Sequence, residues 1–285
     1  MRAETAIRVA QLRDDRGIAP GLAVLLVGDN PASASYVRGK ERACEEAGIY
    51  TETLRPPATS SQSQLVDAVA ELNTDNRFHG ILVQLPLPDH VDEDVVLRAI
   101  DPAKDVDGLH PYNLGLLLSG SPRFVPATPL GVQRLLVEEG VELEGATVVI
   151  CGRSNIVGRP LAALLVQKAP HANATVTVCH TGTRDLPSIT RRADILIAAI
   201  GRPGAITGDM IRPGAVVIDV GISRVEDASK KRGYRLDGDV AFDEAVETAS
   251  LVTPVPGGVG PMTIAMLLTN TMRAARLAIE AKATA

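Results

Sequence analysis

Two side chains four residues apart suggest the first piece of chemistry in this chain. Tyr36 and Lys40 stand at i and i+4 in PASASYVRGKERACEEAG and would share one face of a helix. That helix follows the aliphatic run LAVLLVG (22–28) through GDNPASAS. Its start therefore falls at the carboxyl end of a strand, where open α/β sheets build clefts. A lysine held against an apolar wall has its charged form disfavoured, so its pKa drops toward useful base strength. The same spacing equally describes a solvated lysine over a half-buried tyrosine, the commoner arrangement. Gln84 sits in the apolar run ILVQLPLP, and a buried amide needs partners. It either takes part in chemistry or caps neighbouring backbone. DPAKDVDGLHP sets Asp101, Asp105 and Asp107 in one short loop. The spacing and closing glutamate of a calcium loop are missing. A carboxylate there either accepts two N–H donors from an amino-bearing heterocycle or shapes a turn.

A second group is rich in glycine. CGRSNIVGRP (151–160) lies between the strand-like ATVVICG and the helix-like PLAALLVQKA. Gly152 permits a tight turn, and Gly158 permits close backbone approach at a helix entry. The free N–H groups of such an entry, with the helix dipole, can hold a pyrophosphate. Ser154 and Val157 stand where the G-x-G-x-x-G pattern has its later glycines, so the motif alone also describes an ordinary βα turn. The next strand ends in Cys179-His180-Thr181 without the acid that NAD-preferring sites place there. Arg153 and Thr181, with Arg184 close by, suit a 2′-phosphate, which favours NADP over NAD; Arg184 equally fits a solvated surface charge. VTPVPGGVGPMT (252–263) is dense in Pro and Gly before a helical pattern, which fits a stiff loop against a ligand or a linker.

These residues need a scaffold, and the rest of the chain describes one. Strand-like and helix-like segments alternate from end to end, the pattern of parallel sheets joined by helical crossovers. Strands are expected near 22–28, 51–55, 79–86, 146–152, 174–180, 193–201, 215–221 and 250–255. Helices are expected near 4–15, 34–46, 62–75 (capped by Ser60 or Ser61), 92–100, 129–140, 160–169 and 262–282, with loop over most of 101–129. The composition is 45% hydrophobic but 2% aromatic, so the cores are aliphatic, as buried parallel strands require. A net charge of -5 without basic clusters argues against nucleic-acid binding. Cys44, Cys151 and Cys179 form no disulfide framework. With no apolar signal core or membrane-length run, the expectation is a soluble, cytoplasmic protein.

Taken together, VGDNPASASYVRGKERACEEAGI, GILVQLPLP, DPAKDVDGLHPYNLG, PATPLGV, GRSNIVGRPLAALL, ATVTVCHTGT and TPVPGGVGPMT resemble the bifunctional methylenetetrahydrofolate dehydrogenase/methenyltetrahydrofolate cyclohydrolase family. The resemblance implies two α/β domains with parallel sheets and an active-site cleft between them. One is a folate-binding catalytic domain, 1–135 with 262–285 packing back on it; the other is an NADP-binding Rossmann domain, 136–261. It implies NADP-dependent oxidation of 5,10-methylenetetrahydrofolate, then hydrolysis to 10-formyltetrahydrofolate. Lys40 resembles the cyclohydrolase lysine, Tyr36 the aromatic that packs on the folate, Gln84 the partner that tunes the lysine, and Asp107 the pterin anchor. Leu85, Pro256, Gly257, Gly258 and Pro261 match the folate surroundings. Gly152, Arg153, Ser154, Ile156, Val157, Gly158, His180, Thr181, Arg184, Gly201, Gly221 and Ile222 match cofactor positions. A homodimer formed through the second domain is implied too. Two stretches differ: no LDGK-like segment precedes the first helix, and His180-Thr181-Gly182-Thr183 stands where the family has HSKT or HSRT. The rival readings are a monofunctional dehydrogenase of the same fold and a non-catalytic dinucleotide-binding module.

Overall fold

A computed structural model describes residues 1–230 and 233–284. The chain forms two compact units, Met1–Ala127 with Ile264–Ala285, and Thr128–Thr263.

The first unit runs α1 (Arg2–Arg16), β1 (Gly21–Leu25), α2 (Pro31–Ala47), β2 (Tyr50–Leu54), α3 (Gln62–Thr74), β3 (Gly80–Val83), α4 (Glu93–Arg98) and α5 (Pro111–Leu118). Its parallel sheet has the order β2-β1-β3, with Leu25 beside Leu54 and Val83. Leu25, Leu65, Val69, Phe78, Ile81 and Val96 fill its core. Helix α3 starts at Ser61, whose hydroxyl accepts from Gln64 N while the Gln64 side chain accepts from Ser61 N. This reciprocal pair satisfies two of the helix's otherwise open amides.

In the second unit the order is α6 (Ala127–Glu138), β4 (Thr147–Cys151), α7 (Gly158–Leu165), β5 (Thr175–Cys179), α8 (Leu186–Thr190), β6 (Ile195–Ala198), β7 (Val216–Asp219), β8 (Ser223–Glu226), β9 (Tyr234–Asp237), α9 (Phe242–Thr248) and β10 (Leu251–Val252). Five parallel strands take the order β10-β7-β6-β4-β5, while β8 and β9 form a separate antiparallel hairpin. Successive side chains of a strand face opposite ways. Val148 and Ile150 accordingly join one core with Ile195 and Ile197, and Val149 and Cys151 join another with Leu196 and Ala198. Both faces of the central strands β4 and β6 are buried, which is why residues 148–151 and 195–198 are apolar, while the edge strand β5 carries threonines and stays partly exposed. The chain leaves β4 for β5 on one side and returns to β6 on the other. The carboxyl end of β4 is therefore a topological switch point, where open sheets bind ligands. The last helix, α10 (Val259–Thr284), runs from the second unit into the first.

Several sequence expectations need correction. Residues 111–118 are helical, where a loop was expected: Pro111 takes the first helical position, and the His110 ring accepts from Tyr112 N. Strands end earlier than the apolar runs suggest, so Gln84 is the first residue beyond β3. Helix α10 begins at Val259, so Pro261 lies in its first turn, where proline costs no hydrogen bond. The β8–β9 hairpin, α8 and α9 have no counterpart in the expected elements. Among the described residues no helix is long and apolar enough to cross a membrane.

Candidate active site

Helix α2 carries Lys40 toward the end of β3. Lys40 Nζ donates to Gln84 Oε1 at 3.0 Å, and Gln84 Nε2 donates to Leu85 O at 2.7 Å. Gln84 N itself donates to Leu25 O, which fixes the amide's root on the central strand. Burial lowers the Lys40 pKa, while the Asp107 charge and then Cys44 oppose that shift. Cys44, one turn along α2, is a buried thiol pushed up to about 12 by burial. It stays neutral and walls the lysine with low-polarity surface. Burial raises the Asp107 carboxyl, the Lys40 charge lowers it, and Asp105 raises it further. Lys40 and Asp107 thus form a mutually dependent acid–base pair in partly dry surroundings. Tyr36 lies on the same helix with 39% of its surface exposed, and burial raises its pKa. An aromatic ring left this accessible, one helical turn from a half-buried amine, provides a surface for a flat ligand.

The three loop aspartates divide their labour. Asp105 is buried and accepts from Leu109 N, His110 N and Asn113 Nδ2. Asp101 accepts from Ala103 N and shapes the turn. Asp107 is left to face Lys40. Asn270 of α10, 3% exposed, donates through Nδ2 to Val106 O at 2.8 Å and Val125 O at 2.9 Å. It holds the backbone immediately before Asp107. Sequence reasoning missed Asn270 and Asn113; the available signal was an amide inside the apolar run IAMLLTNTM, which must find partners. The stretch Pro256, Gly257, Gly258 and Pro261 belongs to the second unit. Gly257 has φ +115, and Gly258 N donates to Pro254 O at 2.9 Å. A Cβ on Gly258 would meet Pro254 O at 2.7 Å, so the turn closes only with glycine there.

The dinucleotide candidates collect at one edge of the five-stranded sheet. Cys151 is in register with Cys179 and Ala198, and Ala198 with Asp219. The residues that follow these strands, Gly152, His180, Gly201 and Gly221, therefore lie along one carboxyl edge. Gly152 has φ +134, and its Cβ would stand 2.0 Å from Ala199 O. A Cβ on Gly158 would stand 2.1 Å from Gly152 O. This packing brings the start of α7 against the sheet edge. Helix α7 has no side-chain cap at its N-terminus, so its dipole and amides suit a phosphate group. Arg153, Ser154, Ile156 and Arg184 are exposed around this edge, with Val157 half-buried. After β5, His180 N donates to Thr183 Oγ1 and Gly182 N to His180 Nδ1, leaving Thr181 exposed. The nearest acid, Asp185, caps α8 through Ser188 N. No carboxylate at the strand end competes with a ribose 2′-phosphate, so the residues present fit NADP.

Residues 1–107 match the tetrahydrofolate dehydrogenase/cyclohydrolase catalytic domain, and residues 126–279 match the NAD(P)-binding domain of the same family. The chain belongs to the tetrahydrofolate dehydrogenase/cyclohydrolase family. It is 55% identical over 278 residues to a bifunctional protein FolD of Syntrophobacter fumaroxidans, covering 97% of this chain and 94% of that one. The bifunctional FolD methylenetetrahydrofolate dehydrogenase/cyclohydrolase of Campylobacter jejuni superimposes with a TM-score of 0.89 at 48% identity, covering 96% and 94% of the two chains. The Trypanosoma brucei enzyme, solved with NADP cofactor and inhibitor, gives 0.92 at 42% identity, covering 98% and 94%. The present chain is a bifunctional enzyme that oxidises 5,10-methylenetetrahydrofolate with NADP and hydrolyses the methenyl product to 10-formyltetrahydrofolate.

Proposed function

We propose that Lys40, Gln84 and Asp107 carry the cyclohydrolase chemistry of the first unit, and that the carboxyl edge of the second unit's sheet holds NADP. The observation that carries this reading is the 3.0 Å hydrogen bond from a half-buried, pKa-lowered lysine to an amide oxygen whose backbone is itself fixed to the sheet. In its neutral form Lys40 has a lone pair. With one N–H committed to Gln84, the lone pair is confined to one of the two remaining tetrahedral positions, and it can take a proton from the water that attacks the methenyl carbon. A cationic methenyl substrate nearby further disfavours protonated lysine, which keeps the amine in its working state. Asp107 accepts N–H donors of the pterin ring and so aligns the reacting carbon. Tyr36 and Leu85 provide apolar surface for the folate; the family resemblance assigns Pro256, Gly257, Gly258 and Pro261 of the second unit to folate binding as well.

NADP, when bound, supplies the hydride acceptor for the oxidative step. The protein's part is position. Gly152 and Gly158 would admit the pyrophosphate to the amides of α7. Arg153, Ser154, His180, Thr181 and Arg184 would hold the adenosine ribose and its 2′-phosphate, and Ile156, Val157, Gly201, Gly221 and Ile222 would hold the rest of the cofactor. We place the folate chemistry in domain 1–135 with 262–285, and the cofactor in 136–261. A cytoplasmic homodimer completes the proposal. Three free, buried cysteines support a reducing compartment, and the family resemblance supports the dimer.

Lys40→Met is the test. Hydrolysis of methenyltetrahydrofolate, followed by loss of its absorbance, should fall to the uncatalysed rate while the variant still binds NADP⁺. Hydrolysis at the wild-type rate would refute the assignment.

A further inference from the structure

Two aspartates in the second unit are buried and unused by the chemistry above. Asp219 ends β7 and is 4% exposed; Asp239 follows β9 and is 0% exposed. Asp219 Oδ1 accepts from Gly221 N at 2.9 Å and Asp239 N at 3.0 Å, and its Oδ2 accepts from Val240 N at 2.9 Å. Asp239 Oδ2 accepts from Ile200 N at 2.5 Å and Gly201 N at 2.9 Å. Five backbone amides therefore converge on two carboxylates, and among the described residues neither carboxylate has an ion-pair partner. The two residues also interlock. A Cβ on Gly238 would meet Asp219 Oδ2 at 2.0 Å, and a Cβ on Gly221 would meet Asp239 Oδ1 at 2.4 Å. Each carboxylate occupies the space a side chain would need on the glycine beside the other aspartate.

Burying two carboxylates without cations is expensive, so a domain that needed only stability has simpler solutions. The segments they hold are informative. Ile200 and Gly201 leave the carboxyl end of β6, and Gly221 and Ile222 leave that of β7. Ile200 is 37% exposed and Ile222 is 44% exposed. The amides of Ile200, Gly201 and Gly221 are held by the two carboxylates, while the apolar side chains of Ile200 and Ile222 remain exposed. Gly201 has φ +75, a conformation that the hydrogen bond from its N–H to Asp239 helps to fix.

We infer that Asp239 and Asp219 are positioning residues for the nicotinamide dinucleotide, acting through the Ile200–Gly201 and Gly221–Ile222 backbones. The inference rests on the cofactor reading above and deepens it by naming what holds that edge in shape. The two carboxylates do not touch the cofactor; they orient the amides and apolar side chains that do. Asp239 is the more telling member, because both amides it holds lie on the β6 loop and its Oδ1 has no hydrogen-bond partner. An asparagine can therefore keep both hydrogen bonds from the Ile200 and Gly201 amides through its single oxygen, whereas an alanine keeps neither.

The experiment compares the full-length wild type, Asp239→Ala and Asp239→Asn. NADP⁺ affinity is measured by titration calorimetry, hydrolysis of methenyltetrahydrofolate without cofactor serves as an independent check, and amide exchange is followed over residues 199–203. Asp239→Ala should weaken NADP⁺ binding at least tenfold and speed exchange in that segment, with hydrolysis within twofold of wild type. Asp239→Asn should restore affinity to within about threefold. NADP⁺ binding by Asp239→Ala at wild-type strength would overturn the inference, as would equal losses of binding and hydrolysis with faster exchange throughout, which would mark a purely structural role. If Asp239→Ala does not fold, Asp239→Asn decides, and a tenfold loss of affinity there also overturns it. A wild type that fails to bind NADP⁺ would instead refute the cofactor reading itself.

Discussion

Replacing Gly152 with alanine should separate the two activities of this enzyme. The turn after β4 is fixed on two sides, because Gly152 N donates to Cys179 O at 2.9 Å and Ala199 N donates to Cys151 O at 2.8 Å. A Cβ at position 152 would lie 2.0 Å from Ala199 O, about 1.4 Å short of the 3.4 Å where ordinary contact begins. Retreat the other way is closed too, since Gly158 already packs on Gly152 O. The turn must move by roughly an ångström or more, and misplacement on that scale costs on the order of 100-fold in a positioned reaction. That corresponds to about 2.7 kcal/mol of transition-state stabilisation. Holding an alanine at φ +134 adds about 1–3 kcal/mol of folding strain. Initial rates with NADP⁺ and methylenetetrahydrofolate should therefore drop about 100-fold in kcat/KM. Hydrolysis of methenyltetrahydrofolate should stay within a few-fold, and urea denaturation should report the strain. An alanine variant with the wild-type KM for NADP⁺ and unchanged stability would refute the steric argument.

Further outcomes follow from the same geometry. Asn270→Leu strands the carbonyls of Val106 and Val125 in buried surroundings, and should cost about 2–4 kcal/mol in chemical denaturation while slowing hydrolysis through Asp107. In the proposed role the working form of Lys40 is the neutral amine, so hydrolysis should rise with pH through the lysine's lowered pKa. Gln84→Leu removes an acceptor that favours the charged form, so the rising limb of the pH–rate profile should move to lower pH, with a smaller maximal rate; a shift to higher pH would contradict the assigned role. Combined Arg153→Ala and Arg184→Ala should reduce the preference for NADP⁺ over NAD⁺ in kcat/KM by about tenfold or more, the effect of losing a charge-assisted hydrogen bond.

The arrangement of the candidate residues was legible where type and spacing coincide. Tyr36 and Lys40 share α2 as their spacing requires, and Gln84 meets Lys40 because a polar group just beyond a buried strand has few other partners. The glycine turn was legible because only glycine tolerates the approach of β6 and α7 to one backbone. What stayed hidden depended on tertiary partners. Asp105 and Asp107 look alike in DVDG, but Asn113 and two backbone amides claim the first and leave the second to Lys40. Helix α5 was obscured by the prolines and glycines around it, although Pro111 is itself a helix-start signal. The β8–β9 hairpin has polar, charged strands outside the main sheet, so no aliphatic run announces it. Asp219 and Asp239 look like ordinary loop-edge acids until Gly221 and Gly238 are seen to make room for them.

The discontinuity of the first unit affects how the protein is made. Asn270 closes hydrogen bonds to Val106 and Val125 across sequence separations of 164 and 145 residues. During synthesis those two carbonyls must wait for the end of the chain, whereas the contiguous second unit can complete its sheet beforehand. The lysine-bearing unit is then the later one to mature. A ribosome stalled short of α10 would release a chain able to form its nucleotide-binding sheet but not to lock the loop that carries Asp107.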